Sequence, residues 1–290
     1  MSKNKVLVTG GLGFMGSHTV VELIKGGYEV VIIDDLSNSQ LFTLDNIEKT
    51  TGIRPGFYEI DISHKEKLLE FFKSEKNIEA IIYFAAFKEA EESEIKPLKY
   101  FRTNLSSLIN LLVCMETFGV SNIVFSTSAT VYGEPDVLPV KEGNSFKKSL
   151  PAYGSTRQIG EEILGKVSDI DSVNAISVRH FNPVNAHDSS LPIELPIPFI
   201  TQIASRISEK LTIYGSDYNT TESTYIRYYK PTMEIAKAHV KSCDHLLNVV
   251  VKKNYEKFNI STVTGISMIE INEAFEKYDK IKLNYTIIYH

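Results

Sequence analysis

The run Val6-Leu7-Val8 passes directly into Thr9-Gly10-Gly11-Leu12-Gly13-Phe14-Met15-Gly16, and then into a segment of helical spacing from Ser17 to Ile24. Glycine stands at every third position of the loop. Gly10 permits a tight turn, Gly13 lets backbone N–H groups approach a pyrophosphate, and Gly16 lets the helix pack close to the strand. A helix N-terminus adds partial positive charge and free N–H donors where phosphates would sit. A second strand, Glu29 to Ile33, ends at Asp34. That is near the ~20-residue spacing at which an acid takes an adenosine ribose diol. An acid there repels a 2′-phosphate, so NAD is expected over NADP. The loop alone also suits a glycine-rich turn in an ordinary α/β protein. With strand, helix and Asp34 in register, it points to a dinucleotide site.

Further along, short apolar runs alternate with helical segments. Residues 80–85, 122–127 and 175–180 read as buried strands, and 65–76 and 105–118 as helices. This alternation predicts an α/β fold, a doubly wound parallel sheet of Rossmann type, with ligands at the carboxyl ends of its strands. Prolines 183, 192, 196 and 198 then break the regular pattern. The expected organisation is a dinucleotide-binding domain of residues 1–178 with 225–255. A smaller α/β substrate domain of 179–224 with 256–290 is interleaved with it.

The chain of 290 residues carries a net charge of −5, which argues against nucleic acid or an anionic membrane as its main partner. Cys114 and Cys243 sit in apolar, helix-like surroundings and read as small buried hydrophobes. No metal site is expected. No apolar run reaches the length of a membrane span. Residues 1–4 lead straight into a strand without the apolar stretch of a signal peptide. A reduced, cytoplasmic location is expected.

The chemistry gathers at one strand end. The strand from Asn122 runs into Ser126-Thr127-Ser128-Ala129-Thr130-Val131-Tyr132-Gly133, a hydroxyl cluster at the carboxyl edge of the sheet. Tyr153-Gly154-Ser155-Thr156-Arg157 follows, with a helix expected from Ser155 to Lys166, so that Tyr153 and Arg157 share one face. A tyrosine serves as acid or base at neutral pH only if its pKa of about 10 is lowered. A cation four residues on and a positive nicotinamide ring supply such a field. A serine hydroxyl can bind the same reacting oxygen. Taken singly, the three residues also fit bland roles: Tyr153 in the core, Ser128 as a strand-end cap, Arg157 solvated on a helix.

Together these motifs resemble the extended short-chain dehydrogenase/reductases, and among them the UDP-glucose 4-epimerases. The likeness runs from residue 5 to the end. Ala-Thr-Val-Tyr-Gly at 129–133 and Phe-Asn-Pro-Val at 181–184 carry it most specifically. Nucleotide-sugar dehydratases have an Asp-Glu pair where Ala129-Thr130 stand here, which counts against them. The resemblance implies an NAD-dependent epimerase of a nucleotide sugar, UDP-glucose/UDP-galactose at C4, working through a transient 4-keto sugar. It implies Tyr153 as the base, Ser128 as its hydrogen-bond partner and Arg157 as the cation. It puts NAD against Gly10, Gly13, Phe14, Met15, Gly16, Asp34, Asp35, Leu36, Ser37, Asn38, Ser39, Asp61, Ile62, Phe84, Ala85, Ala86, Lys88, Thr103, Ser126, Tyr153, Arg157 and Phe181. It puts the sugar nucleotide at Ser128, Asn182 and Arg227, and a homodimer seam on 95–118 and 153–168. Lys88 also fits a surface lysine, and Asp61 and Asn182 fit turn and cap residues.

The chain departs from that family at functional positions. Arg157 replaces a lysine, His180 a tyrosine, Thr103 an asparagine, Glu91 a glycine, Tyr83 a histidine and Tyr228 an aspartate. The stretch between His187 and Phe199 is shorter, with Glu194-Leu195 where paired asparagines help hold UDP. Asn259-Ile260-Ser261-Thr262-Val263 stands for a glycine-rich segment, and the chain reaches His290 without the family's Arg-x-Gly-Asp element. Two readings follow from the sequence: an epimerase, or a non-catalytic or weakened NAD-binding relative acting as a sensor or partner subunit.

Overall fold

The computed structural model describes residues 4–135, 137–147, 151–170, 173–184, 211–214, 226–248, 255–262, 265–279 and 285–288. Glu194, Leu195, His187 and Val263, singled out above, lie outside the described residues.

Seven strands form one sheet in the order β11-β6-β5-β4-β1-β2-β3. They are β1 (Lys5–Thr9), β2 (Glu29–Asp34), β3 (Gly56–Glu59), β4 (Ile78–Tyr83), β5 (Asn122–Ser128), β6 (Asn174–His180) and β11 (Tyr255–Ile260). Every neighbouring pair is parallel. Val6, Leu7 and Val8 are wholly buried because helices cover both faces, which is why these strands read as unbroken apolar runs. One face packs on α3 (Lys65–Ser74), α6 (Ser106–Phe118) and α7 (Ala152–Asp169) through Leu68, Phe72, Leu111, Met115 and Leu164. The other packs on α1 (Phe14–Lys25), α2 (Phe42–Thr51) and a helix at Thr232–Asn248 through Val20, Leu23, Leu44, Ile47 and Cys243. The strand order reverses at β1, between β4 and β2. The crevice outside the carboxyl ends at that point is where open α/β sheets take ligands.

This first unit runs to His180 and takes in Thr232–Ile260. The expected break at 255/256 therefore falls at the start of β11, whose six residues all pair with β6. The pairing holds the strand in the sheet. The second unit includes Phe181–Asn185, Glu194–Pro231 and Ser261–His290. Its described elements are paired short strands, β7 (Asn182–Val184) with β10 (Tyr229–Pro231), β8 (Leu211–Tyr214) with β13 (Tyr285–Ile288), and β9 (Ile226–Arg227) with β12 (Ile266–Ser267), and a helix at Met268–Asp279.

Helix boundaries differ from expectation in one place that bears on chemistry. Helix α7 begins at Ala152, so Tyr153 and Gly154 lie inside its first turn instead of before it. Pro151 precedes the first helical position and Ser155 N–H bonds back to its carbonyl at 3.0 Å. The 105–118 helix is entered through a π turn, Phe101–Leu105, which contains Thr103 and Asn104.

Candidate active site

The glycine loop joins β1 to α1. Gly10 has φ +70°, a conformation that disfavours any side chain, and a Cβ there would meet the Ala85 nitrogen at 2.8 Å. A Cβ on Gly16 would drive into the Gly10 carbonyl. Gly13 caps α1, and the first helical turn carries no acidic side chain. Phe14, Met15 and Gly16 thus present helix-start N–H groups in a positive field to a loop kept clear of side chains. That arrangement fits a pyrophosphate.

Asp34, at the carboxyl end of β2, is buried. Its Oδ2 accepts the Leu12 N–H at 2.9 Å, and its Oδ1 accepts the Leu36 N–H at 3.1 Å and the Ser39 hydroxyl at 2.7 Å. A carboxylate offers about four acceptor positions, so one, on Oδ2, remains for a ribose hydroxyl. Leu36 takes φ 59° to make this turn. Asp35 is turned toward Ser37, whose N–H and hydroxyl it accepts at 3.0 and 2.7 Å, and Asn38 is exposed. Asp61 takes the Ser63 N–H at 2.8 Å, the turn role open to it from sequence, with Ile62 buried beside it.

The segment after β4 is held in two ways. Phe84 N–H donates to the Thr9 carbonyl at 3.0 Å, extending the β1–β4 pairing beyond the strands. Asn104 then clasps Phe87: its Oδ1 accepts the Phe87 N–H at 2.9 Å and its Nδ2 donates to the Phe87 carbonyl at 3.0 Å. Ala85 and Ala86 lie half-buried in between, while Lys88 is exposed. Asn104 Nδ2 also donates to Thr156 Oγ1 at 3.1 Å, and Thr156 Oγ1 donates to the Tyr153 carbonyl at 2.7 Å. Sequence reasoning stopped at Thr103 and missed its neighbour Asn104, which links the 84–88 segment to the turn of Tyr153.

Ser126 is buried in β5, and Ser128 ends that strand half-buried. Ser128 also serves as the cap of the 3-10 turn Ala129–Tyr132, accepting the Thr130 N–H at 3.3 Å. Tyr153 and Arg157 do share a face of α7: the guanidinium lies 5.4 Å from the Tyr153 ring centroid and 5.4 Å from that of Phe125. Arg157 is not solvated. It is 6% exposed and its buried Nε has no hydrogen-bond partner. Gly160 makes this packing possible, since a Cβ there would meet the Phe125 ring at 2.9 Å. Tyr83 stacks on the same Phe125 ring at 5.6 Å. Burial pushes the Tyr83 phenol upward, against the opposing charge of Arg157.

His239, a residue the sequence did not single out, lies buried 4.8 Å from the Phe84 ring and 6.5 Å from that of His180. Burial lowers it to about 3, so it is neutral at physiological pH. In the second unit Asn182 pairs with Tyr228, its N–H reaching the Tyr228 carbonyl at 3.1 Å and its Nδ2 at 3.3 Å. Phe181 meets the Tyr228 ring edge-on at 6.0 Å. The backbone of Arg227 lies in β9, opposite Ile266; its side chain is outside the described part. Among the described residues no group of His, Cys, Asp or Glu could hold a metal ion, and no helix is long and apolar enough to cross a membrane.

The sequence profile of the NAD dependent epimerase/dehydratase family matches residues 6–260. The UDP-glucose 4-epimerase of Bacillus subtilis is 39% identical over 280 residues, covering 94% of this chain and 81% of that protein. That of Drosophila melanogaster is 37% identical, covering 99% and 86%. Among solved structures, UDP-glucose 4-epimerase from Stenotrophomonas maltophila, with bound NAD and formylated UDP-arabinopyranose, superposes with a TM-score of 0.92 at 36% identity, covering 99% of this chain and 86% of that one. The Bifidobacterium longum enzyme in complex with NAD+ and UDP gives 0.91 at 34% identity, with the same coverage.

Proposed function

The chain belongs to the NAD-dependent epimerase/dehydratase family, and from that membership we propose that it inverts C4 of a nucleotide sugar, interconverting UDP-glucose and UDP-galactose. The observation that carries this reading is a juxtaposition within the first unit. The glycine loop and Asp34 stand at the carboxyl edge of the sheet, and Ser128 ends a strand of that same edge. On α7, Tyr153 carries a buried cation at its ring, Arg157, which the glycine-assisted packing on β5 holds in place.

NAD is the cofactor, and when bound it supplies the acceptor and later the donor of the C4 hydride. Gly10, Gly13, Phe14, Met15 and Gly16 hold its pyrophosphate by backbone N–H groups. Asp34 takes the adenosine ribose through its remaining acceptor position, with Asp35 to Ser39, Asp61 and Ile62 lining that end. Phe84, Ala85, Ala86, Lys88, Thr103 and Ser126 line the nicotinamide end, and Phe181 is assigned to the cofactor by the family resemblance alone. Tyr153 takes the proton from the sugar 4-hydroxyl and returns it after the 4-keto sugar has turned. Ser128 binds the same oxygen, and Arg157 is the cation held beside the Tyr153 ring. Asn182 and Arg227 are assigned to the nucleotide sugar. The exposed Ile95, Leu98 and Ile109 support a homodimer seam on 95–118. Two buried free cysteines, Cys114 and Cys243, suit a reducing, cytoplasmic setting.

Purified protein incubated with UDP-galactose should release UDP-glucose, followed by a coupled assay. No product at saturating substrate and NAD would overturn the epimerase reading in favour of the non-catalytic one.

Cofactor choice makes a second test. Asp34 already carries three protein hydrogen bonds and faces the ribose as a fixed anion. A 2′-phosphate would bring about two further negative charges against it. NAD should therefore bind well and NADP poorly in titration calorimetry. NADP binding as tight as NAD would remove Asp34 from the ribose site.

A further inference from the structure

Tyr153, Arg157 and Glu161 are each four residues apart on α7 and so form one stripe down a single helix face. Side chains on a helix lean toward its N-terminus, which brings the Glu161 carboxylate over the turn that carries Arg157. Both are buried, Arg157 at 6% and Glu161 at 1% exposure. Opposite charges at this spacing in a dry interior would ordinarily pair. Here they do not. Arg157 keeps a buried Nε without a partner and turns its guanidinium to the rings of Phe125 and Tyr153.

The carboxylate is taken instead by Arg179, near the carboxyl end of β6. Arg179 Nε donates to Glu161 Oε1 at 3.0 Å and Oε2 at 3.2 Å, and Nη2 donates to Oε2 at 2.6 Å. The Tyr255 hydroxyl donates to Oε2 at 3.4 Å. Arg179 itself cannot swing away. Its Nη1 donates to the Tyr132 hydroxyl at 2.7 Å and to the Glu142 carbonyl at 3.0 Å. The Tyr132 hydroxyl in turn donates to Asn259 Oδ1 at 2.6 Å. The Tyr132 and Phe146 rings lie 4.9 and 5.2 Å from the guanidinium. Stability alone is a poor reason for such a cluster, because apolar residues of similar volume stabilise a core at least as well as a buried ion pair.

We propose that Arg179 is a positioning residue that sequesters Glu161 and so prevents this carboxylate from neutralising Arg157, the cation beside Tyr153. The inference rests on the reading of Arg157 as the site's cation. It predicts an asymmetry that a merely structural ion pair would not produce. Removing the carboxylate leaves Arg157 as it is. Removing Arg179 releases the carboxylate onto Arg157, whose unpartnered Nε is on the next turn of the same stripe.

The experiment compares Arg179→Met, Glu161→Gln and the double variant, with rates counted per folded, NAD-loaded molecule at saturating UDP-galactose. Arg179→Met should lose about tenfold or more in kcat, the size of effect expected from quenching one charge beside a titrating group. Glu161→Gln should stay near the parental kcat, and Glu161→Gln added to Arg179→Met should restore the rate. The double variant also lacks the Arg179 contacts to Tyr132 and Glu142, so recovery would isolate the charge. Equal losses in both single variants, or a double variant no faster than Arg179→Met, would overturn the proposal. If Glu161→Gln alone fails to fold, the other two variants decide. The pairing can also be seen directly from the Arg157 Nε–H nitrogen resonance, identified by its loss in Arg157→Lys. It should move to the position of a carboxylate-bonded guanidinium in Arg179→Met and not in the double variant, whether or not the chain turns over. An unmoved resonance in Arg179→Met would refute the inference. A parent without turnover would refute the epimerase reading instead.

Discussion

Replacing Tyr153 by phenylalanine is expected to lower the epimerisation rate by about 10²–10⁴-fold while NAD stays bound. The substitution removes one atom. The ring that meets Arg157 at 5.4 Å is kept, and so is the backbone bond from Thr156 Oγ1 to the Tyr153 carbonyl at 2.7 Å. What disappears is the hydroxyl to which the proposed function assigns proton exchange with the sugar 4-oxygen. The loss should therefore fall on kcat, with NAD affinity by calorimetry and thermal stability close to the parent. A Tyr153→Phe variant turning over UDP-galactose at the parental rate would make Tyr153 a packing residue.

Gly16→Ala should cost about a hundredfold in NAD affinity. The added methyl would run into the Gly10 carbonyl oxygen, with the Gly11 Cα at 2.8 Å and the Gly10 carbonyl carbon at 2.9 Å. All three are backbone, so no side-chain rotation can relieve the clash and the whole phosphate-facing loop must move. Overpacking of this kind costs roughly 1–3 kcal/mol. At about 1.4 kcal/mol per tenfold, the upper end is about a hundredfold if the strain falls on the bound geometry. Gly165→Ala on α7 is the control, since its Cβ would meet only the Tyr255 ring at 3.5 Å, an ordinary contact. Equal NAD titrations for parent and Gly16→Ala would show that the loop is not the cofactor's seat.

Family membership bears on the departures noted from sequence. Arg157 is a case where a changed residue found a compatible setting. A guanidinium is broad and planar, unlike a lysine ammonium, and the two flat rings of Phe125 and Tyr153 accept it. Tyr83, another departure, stacks on the far neighbour of that arrangement, Phe125. The two residues, 74 positions apart in the chain, thus meet at one ring, and Tyr83 also feels the Arg157 charge.

The sequence by itself determined the sheet, the glycine loop and the pairing of Tyr153 with Arg157 on one helix face, because each is written in local order. Strands buried on both faces must be apolar throughout, so β1, β4, β5 and β6 were legible as runs. Glycines at each third position after such a run, with a helix following and Asp34 in register, point to a dinucleotide loop. Tyr153 and Arg157 lie one helical turn apart, and periodicity places them together without any tertiary knowledge. Tertiary structure alone decided what surrounds them. Asn104 reaches Phe87 and Thr156 across the fold, and Arg179 reaches Glu161 and Tyr132 from a different strand. Such contacts join residues far apart in the chain, and no spacing rule links them. The burial of Arg157 was hidden for the same reason: a charged helical residue reads as solvated until the sheet beneath it, and the glycine at 160 that lets the helix approach, are in place.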